Sequence, residues 1–155
     1  MTISVNNLVK YYGQQKAVDG VSFSINSGDI VGFIGPNGAG KSTTMKILTG
    51  YIMEYEGNVL YNENNIRDCI EEYRSKIGYL PENNPLYHEM YVREYLEYIS
   101  GIYKLGGSVN SLVDEVIQKT GLTREYKKKI ASLSKGYRQR VGLASTLIHN
   151  PEILI

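Results

Sequence analysis

The chain has 155 residues, enough for one domain with a hydrophobic core and too few for two independent domains. Its 17 lysines and arginines nearly balance 16 aspartates and glutamates, so the net charge of +1 gives no general attraction to nucleic acid or anionic lipid. A single cysteine, Cys69, excludes an internal disulfide, and no apolar run reaches the roughly 18 residues of a membrane span. We therefore expect a cytosolic protein, held at a membrane at most by a partner.

The first half of the chain predicts mainly strands. "ISVNNLVKYYG" (3–13) and "VSFSIN" (21–26) alternate apolar and polar residues, which is typical of half-exposed strands that pair antiparallel. "IVGFIG" (30–35) is a nearly continuous apolar run, which predicts a strand covered on both faces. A helix ending at Gly50 should follow, and "GNVLYN" and "KIGYL" predict two further strands.

Helical spacing dominates after Pro81. "YVREYLEYISGIY" (91–103) and "SLVDEVIQKTGL" (111–122) each place apolar residues on one helical face, with Gly121 as a C-terminal stop. Another helix should open at Ser134, and "EILI" (152–155) returns to strand. The sequence thus predicts a strand-rich first half, a helical insertion and a return to the sheet.

The strongest chemical motif is "GPNGAGKST" (35–43), which matches G-x-x-x-x-G-K-[ST] between a predicted buried strand and a predicted helix. In this motif, backbone N–H groups that glycines leave accessible wrap a β-phosphate, and the following helix points its positive dipole end at it. A chance match to a glycine-rich turn is the alternative, but the strand and helix context favours a nucleotide-binding P-loop. Lys41 is expected to reach the β- and γ-phosphates, the Ser42 hydroxyl to bind Mg²⁺ and Thr43 to donate to a phosphate. The predicted nucleotide-binding residues of the loop are Gly35, Pro36, Asn37, Gly38, Ala39, Gly40, Lys41, Ser42 and Thr43.

The segment "LSKGYRQR" (133–140) predicts a helix start that is also a second site for phosphate. Ser134 offers a hydroxyl at the helix N-terminus, and Gly136 leaves the first-turn N–H groups unhindered at the positive end of the dipole. Since one triphosphate rarely needs two such sites on one polypeptide, we expect this one to act in trans, on nucleotide held by another copy. The alternative is that Ser134 only caps the helix and Gly136 is tolerated in an early turn.

The order "GPNGAGKST", "GYLPE", "LSKGYRQR", "NPEILI" resembles that of the ATP-binding subunits of ABC transporters over essentially the whole chain. The resemblance implies an α/β fold, in which a P-loop NTPase (RecA-like) core carries an N-terminal antiparallel β-subdomain and a helical insertion subdomain. Within one ATP-binding domain, it assigns 1–80 to the β-subdomain and P-loop core, 81–147 to the Q-loop and helical subdomain with the signature motif, and 148–155 to the return to the core. "IGYLPENNPLY", "YVREYL" and "LSKGYRQRVGLA" are most similar to the ATP-binding protein of gliding-motility-associated ABC transporters, in the exporter-like branch.

The same resemblance implies roles for single residues. Tyr12 matches the aromatic residue that stacks on adenine, with Val18 beside it; alternatively, Tyr12 only closes a strand end. Glu82 stands where the family usually has the Q-loop glutamine, and a carboxylate there can still bind Mg²⁺. The implied trans contact is Ser134, Lys135, Gly136 and Tyr137, in which Lys135 replaces the commoner glycine and Tyr137 the commoner glutamine.

Family residues required for hydrolysis are not found in residues 1–155. In this family, the strand begun by "ILI" continues into a Mg²⁺-associated aspartate and a glutamate that polarises the hydrolytic water, with a switch histidine further on. The resemblance therefore implies an N-terminal fragment of an ATPase that ends at the start of the Walker B strand, binds ATP weakly and does not turn it over appreciably. His149 and His88 are expected to be surface or packing residues.

ATP and Mg²⁺ are the implied ligands, and the implied partners are membrane permease subunits and a head-to-tail second copy or paired ATP-binding subunit. No nucleic acid is expected, and the implied location is cytoplasmic, at the inner face of the cell membrane through the permease. Seven of the 14 tyrosines lie between Tyr73 and Tyr103, and tyrosine is favoured at interfaces. We predict that Tyr87 and Tyr91 contact the permease, whereas Tyr95, Tyr98 and Tyr103 equally fit simple packing.

Two other functional classes stay open at this point. A soluble ABC-type ATPase acting on nucleic acid or ribosomes would need a basic groove or a tandem second cassette, and the balanced charge argues against it. A non-hydrolysing, nucleotide-gated regulatory subunit would lack the glutamate after the Mg²⁺-associated aspartate.

Overall fold

The computed structural model describes residues 1–155, which divide into two units, residues 1–74 and residues 75–155. Strands dominate the first unit and helices the second, as the sequence pattern predicts. None of the helices combines the length and apolar composition that crossing a bilayer requires. In chain order, the elements are β1 (Thr2–Tyr12), β2 (Gln15–Asn26), α1 (Lys41–Leu48), β3 (Glu56–Tyr61), β4 (Asn64–Asn65), α2 (Ile70–Ser75), β5 (Ile77–Gly78), α3 (Val92–Ile102), α4 (Val109–Lys119), a 3₁₀ turn (Ile130–Ser132), α5 (Lys135–Leu147) and β6 (Ile153–Leu154).

The first unit is built on a four-stranded antiparallel sheet in the order β2-β1-β3-β4. The predicted pairing of the first two strands is confirmed, with Ile3 opposite Ile25 and Val5 opposite Phe23. Because side chains alternate along a strand, Ile3 and Val5 share one face of β1 and are buried there. The alternation seen in the sequence therefore decides which face of the hairpin is buried.

The helix after the glycine-rich loop ends in a Schellman motif. Gly50 has a φ of 68°, its N–H donates to the Ile47 carbonyl at 2.9 Å, and the Tyr51 N–H donates to the Lys46 carbonyl at 2.9 Å. A residue in this left-handed conformation is preferably glycine, so Gly50 ends α1 where the sequence predicts.

The second unit packs α3, α4 and α5 around one apolar core, and the predicted helices are confirmed. Gly121, with a φ of 67°, follows the end of α4 as expected. The two short strands β5 and β6 pair in parallel, with Ile77 opposite Ile153. The core residues are Val92, Tyr95, Leu96, Val113, Val116, Ile117, Leu122, Ile130, Leu133, Val141, Ala144 and Ile148.

The strand predicted for "IVGFIG" is wrong in this structure. Residues 30–34 pair with no strand, and Ile30 and Ile34 are 102% and 96% exposed. A buried strand needs hydrogen-bonded neighbours for its backbone groups and cover for both faces. Residues 1–155 supply neither, and the Phe33 ring packs edge-on against Phe23 at 5.2 Å between centroids.

Candidate functional site

Residues 35–40 form a loop that leads directly into α1, and Lys41, Ser42 and Thr43 lie in the first turn of that helix. Gly38 and Gly40 have φ values of 85° and 83°, which glycine adopts most readily. Gly40 is the N-cap of α1 and contributes no side-chain hydrogen bond, and the first turn contains no acidic residue. The first N–H groups of the helix and the positive end of its dipole are therefore free of a competing anionic side chain, which suits phosphate binding.

A second constraint on Gly40 comes from β2. A Cβ at this position would lie 2.3 Å from the Ala17 carbonyl oxygen and 3.2 Å from Val18 Cγ2. The predicted site residues Val18 and Gly40 are thus neighbours, and strand β2 supports the base of the loop. Any side chain at residue 40 would clash with backbone as well as strain the turn.

Lys41 lies across the loop that precedes it. Its Nζ donates to the carbonyl oxygens of Gly35 at 2.6 Å and Pro36 at 2.8 Å. The Ala39 N–H also donates to the Pro36 carbonyl, at 3.2 Å. These bonds curl the loop around the ammonium group, so a positive charge lies at the loop carbonyls beside the start of α1. Ser42 and Asn37 are exposed, and Thr43 is half-buried.

Tyr12 lies exposed at the end of β1, and the ammonium group of a buried lysine lies near its ring. Lys10 is on the same face of the strand, two residues away, and its Nζ lies 5.4 Å from the centre of the Tyr12 ring. Lys10 also faces Val18 across the hairpin. The sequence reading did not single out Lys10, although its i, i+2 spacing from Tyr12 was the available signal.

The segment that contains Ser134 begins α5 as predicted. Ser134 is the N-cap, and its Oγ accepts a hydrogen bond from the Tyr137 N–H at 3.4 Å. Lys135 and Gly136 are exposed, and no atom lies within 4 Å of a Cβ built at Gly136. Gly136 also lacks a positive φ. Nothing inside the chain therefore requires glycine at this position.

Glu82 is exposed in the loop between β5 and α3. Two residues further on, the Asn84 side chain donates to the Arg138 carbonyl at 3.0 Å and fills the space beside Gly142. The sequence reading missed both Asn84 and Gly142. The available signal was the glycine inside "QRVGLAS", because glycine is unfavourable inside a helix and its presence can mark the close approach of another group.

The two histidines are not part of a chemical centre. His149 stacks on Tyr103, with ring centroids 4.0 Å apart, and its Nε2 lies 2.9 Å from the Ile77 carbonyl. Burial lowers the pKa of His149, although the Ile77 carbonyl opposes that effect, so the ring is neutral at pH 7. His88 is exposed. His149 is therefore a packing residue and His88 a surface residue, as predicted.

The family profile described as "ABC transporter" matches residues 18–155. The chain belongs to this family. The bacitracin transport ATP-binding protein BcrA of Bacillus licheniformis is 39% identical over 157 residues, which cover 99% of this chain and 49% of BcrA. The chain spans about half the length of the curated relatives that it matches.

Solved structures of ABC proteins share the fold. An ATP-binding subunit of an ABC transporter superposes with a TM-score of 0.84 at 29% identity, covering 99% of this chain and 65% of the other. Cbio1 of Clostridium perfringens, described as part of the ABC transporter complex cbiONQ, gives a TM-score of 0.83 at 25% identity, with 98% and 63% covered. The ABC ATPase fold, a P-loop NTPase with mixed α/β structure and an antiparallel sheet, is thereby confirmed.

Proposed function

We propose that residues 35–43 bind ATP and that the chain belongs to the ATP-binding subunit of an ABC transporter. In the full-length protein, ATP binding and hydrolysis would drive transport by a membrane permease. The observation that carries the proposal is the glycine-lined loop, which presents the open N-terminus of α1 beside the Lys41 ammonium group. Such an arrangement binds polyphosphate through backbone N–H groups and a positive charge.

We also propose that a magnesium ion arrives with the nucleotide. Nowhere in the chain do three His, Cys, Asp or Glu residues come together as a self-contained metal site. Mg²⁺ prefers oxygen ligands and is usually held by one or two protein groups together with substrate phosphates. The exposed Ser42 hydroxyl and the Glu82 carboxylate are the protein oxygens that we assign to it. When bound, Mg²⁺ would neutralise phosphate charge.

We further propose that Tyr12 stacks on adenine with Val18 beside it, and that Ser134, Lys135, Gly136 and Tyr137 contact nucleotide held by a partner. That partner is a head-to-tail second copy or a paired ATP-binding subunit. Gly136 supports the trans contact, because the chain itself places nothing near the missing side chain. The exposure of the Tyr12 ring supports the adenine contact, because the ring offers a flat apolar surface on which a base can stack.

We propose that the protein is located at the cytoplasmic face of the cell membrane, where it is bound to the permease. The names of two similar proteins support this location. BcrA is named as a bacitracin transport protein, and cbiO1 is described as part of an ABC transporter complex. We also assign the chain to the gliding-motility-associated group, on the segments 77–87, 91–96 and 133–144. Deleting the gene should then abolish gliding of the host cell, and normal gliding would contradict this assignment.

The central experiment measures ATP binding by the 155-residue chain with a fluorescent ATP analogue and Mg²⁺. Lys41→Ala should weaken binding about tenfold or more, because a charge-assisted contact to phosphate is lost. Lys46→Ala, which removes an exposed lysine from the far end of α1, is the matched control and should bind like the wild type. Equal affinities for all three proteins would refute the proposed site.

The same preparation tests the proposal that residues 1–155 lack turnover. We propose that none of these residues acts as the general base of hydrolysis, so phosphate release should stay at the background rate while ATP is bound. Appreciable release that disappears in Lys41→Ala would contradict it.

A further inference from the structure

Asn84 joins the loop between β5 and α3 to the first half of α5. Its Nδ2 donates to the Arg138 carbonyl oxygen at 3.0 Å, across 54 positions of sequence, and the residue is half-buried. A carbonyl oxygen has two lone pairs, so Arg138 accepts this bond in addition to a helical one. The contact therefore fixes two separate segments to each other without disrupting the helix.

Gly142 provides the space for this contact. A Cβ at residue 142 would lie 2.0 Å from Asn84 Nδ2 and 2.5 Å from its Cγ. Gly142 does not have a positive φ, and glycine inside a helix is less favourable than alanine because it loses more conformational freedom. The Asn84 side chain is therefore what explains glycine at this position.

The contact lies close to both groups that we assign to nucleotide. Asn84 follows Glu82 by two residues, and Arg138 follows Gly136 by two residues in the first turn of α5. Pro81 and Pro85 flank residues 82–84, and the fixed φ angle of proline restricts the backbone conformation at both ends of this segment. The Asn84 side chain thus links the Glu82 segment directly to the N-terminal half of α5.

We propose that Asn84 is a positioning residue. Seated over Gly142, it makes residues 81–85 and the first turns of α5 move as one body, so that Glu82 and the Ser134 helix end are presented to nucleotide together. The inference rests on the proposed function of those two residues. Its physical basis is the fit of one amide into one glycine gap, together with a hydrogen bond to the helix backbone.

The test compares turnover of ATP by the complete ATP-binding subunit assembled with its permease. Asn84→Ala removes the amide, and Asn84→Asp keeps its size but replaces the donor with an acceptor that faces the Arg138 carbonyl. Both should lower kcat about fivefold or more and leave KM for ATP within about twofold, because the P-loop is untouched. Asn83→Ala changes the exposed neighbour of the same residue type and should leave both constants unchanged.

A second pair of variants tests the fit itself. Gly142→Ala should lower kcat as Asn84→Ala does, since the new methyl group displaces the amide. Adding Gly142→Ala to Asn84→Ala should cause no further loss, because the space is already vacant and the two changes act on one contact. Additive losses would overturn the proposal, and so would unchanged kcat in both Asn84 variants.

Amide hydrogen exchange of the 155-residue chain gives a readout that does not depend on turnover. Exchange at residues 134–140 should be faster in Asn84→Ala than in the wild type or in Asn83→Ala. Equal exchange in all three proteins would overturn the inference. If wild-type protein binds no ATP, the proposed function fails instead, and hydrogen exchange still decides whether Asn84 couples the two segments.

Discussion

Gly136 is the residue at which the proposed trans contact and a purely structural role predict the most different results. A Cβ at this position would meet no other part of the chain within 4 Å, and the residue does not have a positive φ. Replacing it with valine should change the free energy of unfolding by less than about 0.5 kcal/mol, because valine is no worse than glycine in a helix. ATP-dependent pairing of complete subunits should nevertheless weaken about tenfold or more, since the side chain would meet the partner's phosphate.

The matched control for this prediction is Gly101→Val. Gly101 lies in α3, also with nothing within 4 Å of a built Cβ. Sedimentation with and without ATP should show normal pairing for Gly101→Val and impaired pairing for Gly136→Val. Normal pairing of Gly136→Val would show that its glycine has no role in the trans contact.

Helix α2 secures the C-terminal end of α1 with two side chains. The buried Tyr73 hydroxyl donates to the Leu48 carbonyl at 2.7 Å, and Arg74 Nη2 donates to the Gly50 carbonyl at 2.7 Å. Tyr73→Phe should lower the free energy of unfolding by about 1 kcal/mol, because it leaves a buried carbonyl without this partner. Urea denaturation measures the change, and Tyr51→Phe, at a residue that is 77% exposed, should have no effect. Equal stability of Tyr73→Phe and wild type would contradict the assigned contact.

The same hydroxyl gives a pH dependence with a definite sign. Burial raises the pKa of Tyr73 above its usual value of 10.0, so the folded chain keeps this proton at a pH where the unfolded chain loses it. The contribution to stability is fully present below pH 10.0 and is lost as the pH rises through the raised pKa. Above pH 10.0, the free energy of unfolding should therefore fall more steeply with pH in the wild type than in Tyr73→Phe. Parallel curves for the two proteins would contradict this.

Periodicity and end signals were sufficient for most elements. The i, i+3, i+4 spacing in 91–103 and the Ser134 cap predict α3 and α5, and the glycine at residue 50 ends α1. The strand predicted at 30–34 does not form, because composition shows that a segment is apolar without showing which strand pairs with it. The P-loop followed from local sequence, whereas the Asn84 contact joins residues 54 positions apart, and no local pattern specifies such a partner.

At the scale of the whole molecule, the exposed residues Tyr87 and Tyr91 mark the part of the second unit to which we expect the permease to bind. Tyr87 is 56% exposed and Tyr91 is 48% exposed, while Tyr95 is buried in the helical core. The Tyr87 ring packs edge-on against Tyr98 at 5.7 Å and lies 6.1 Å from Tyr95. Neighbouring rings thus hold Tyr87 in place with much of its surface free, and such pre-ordered aromatic groups bind partners at low entropic cost.

Replacing both Tyr87 and Tyr91 with serine should therefore impair association with the permease about tenfold or more, because aromatic anchors contribute most to interfaces. Affinity for ATP should be unchanged, since no P-loop group is altered. Tyr11→Ser with Tyr51→Ser, at two exposed tyrosines of the first unit, is the matched control and should preserve permease binding. Co-purification with the permease and titration with the ATP analogue measure the two quantities. Equal loss of both would assign Tyr87 and Tyr91 to folding, because an interface role removes only the first.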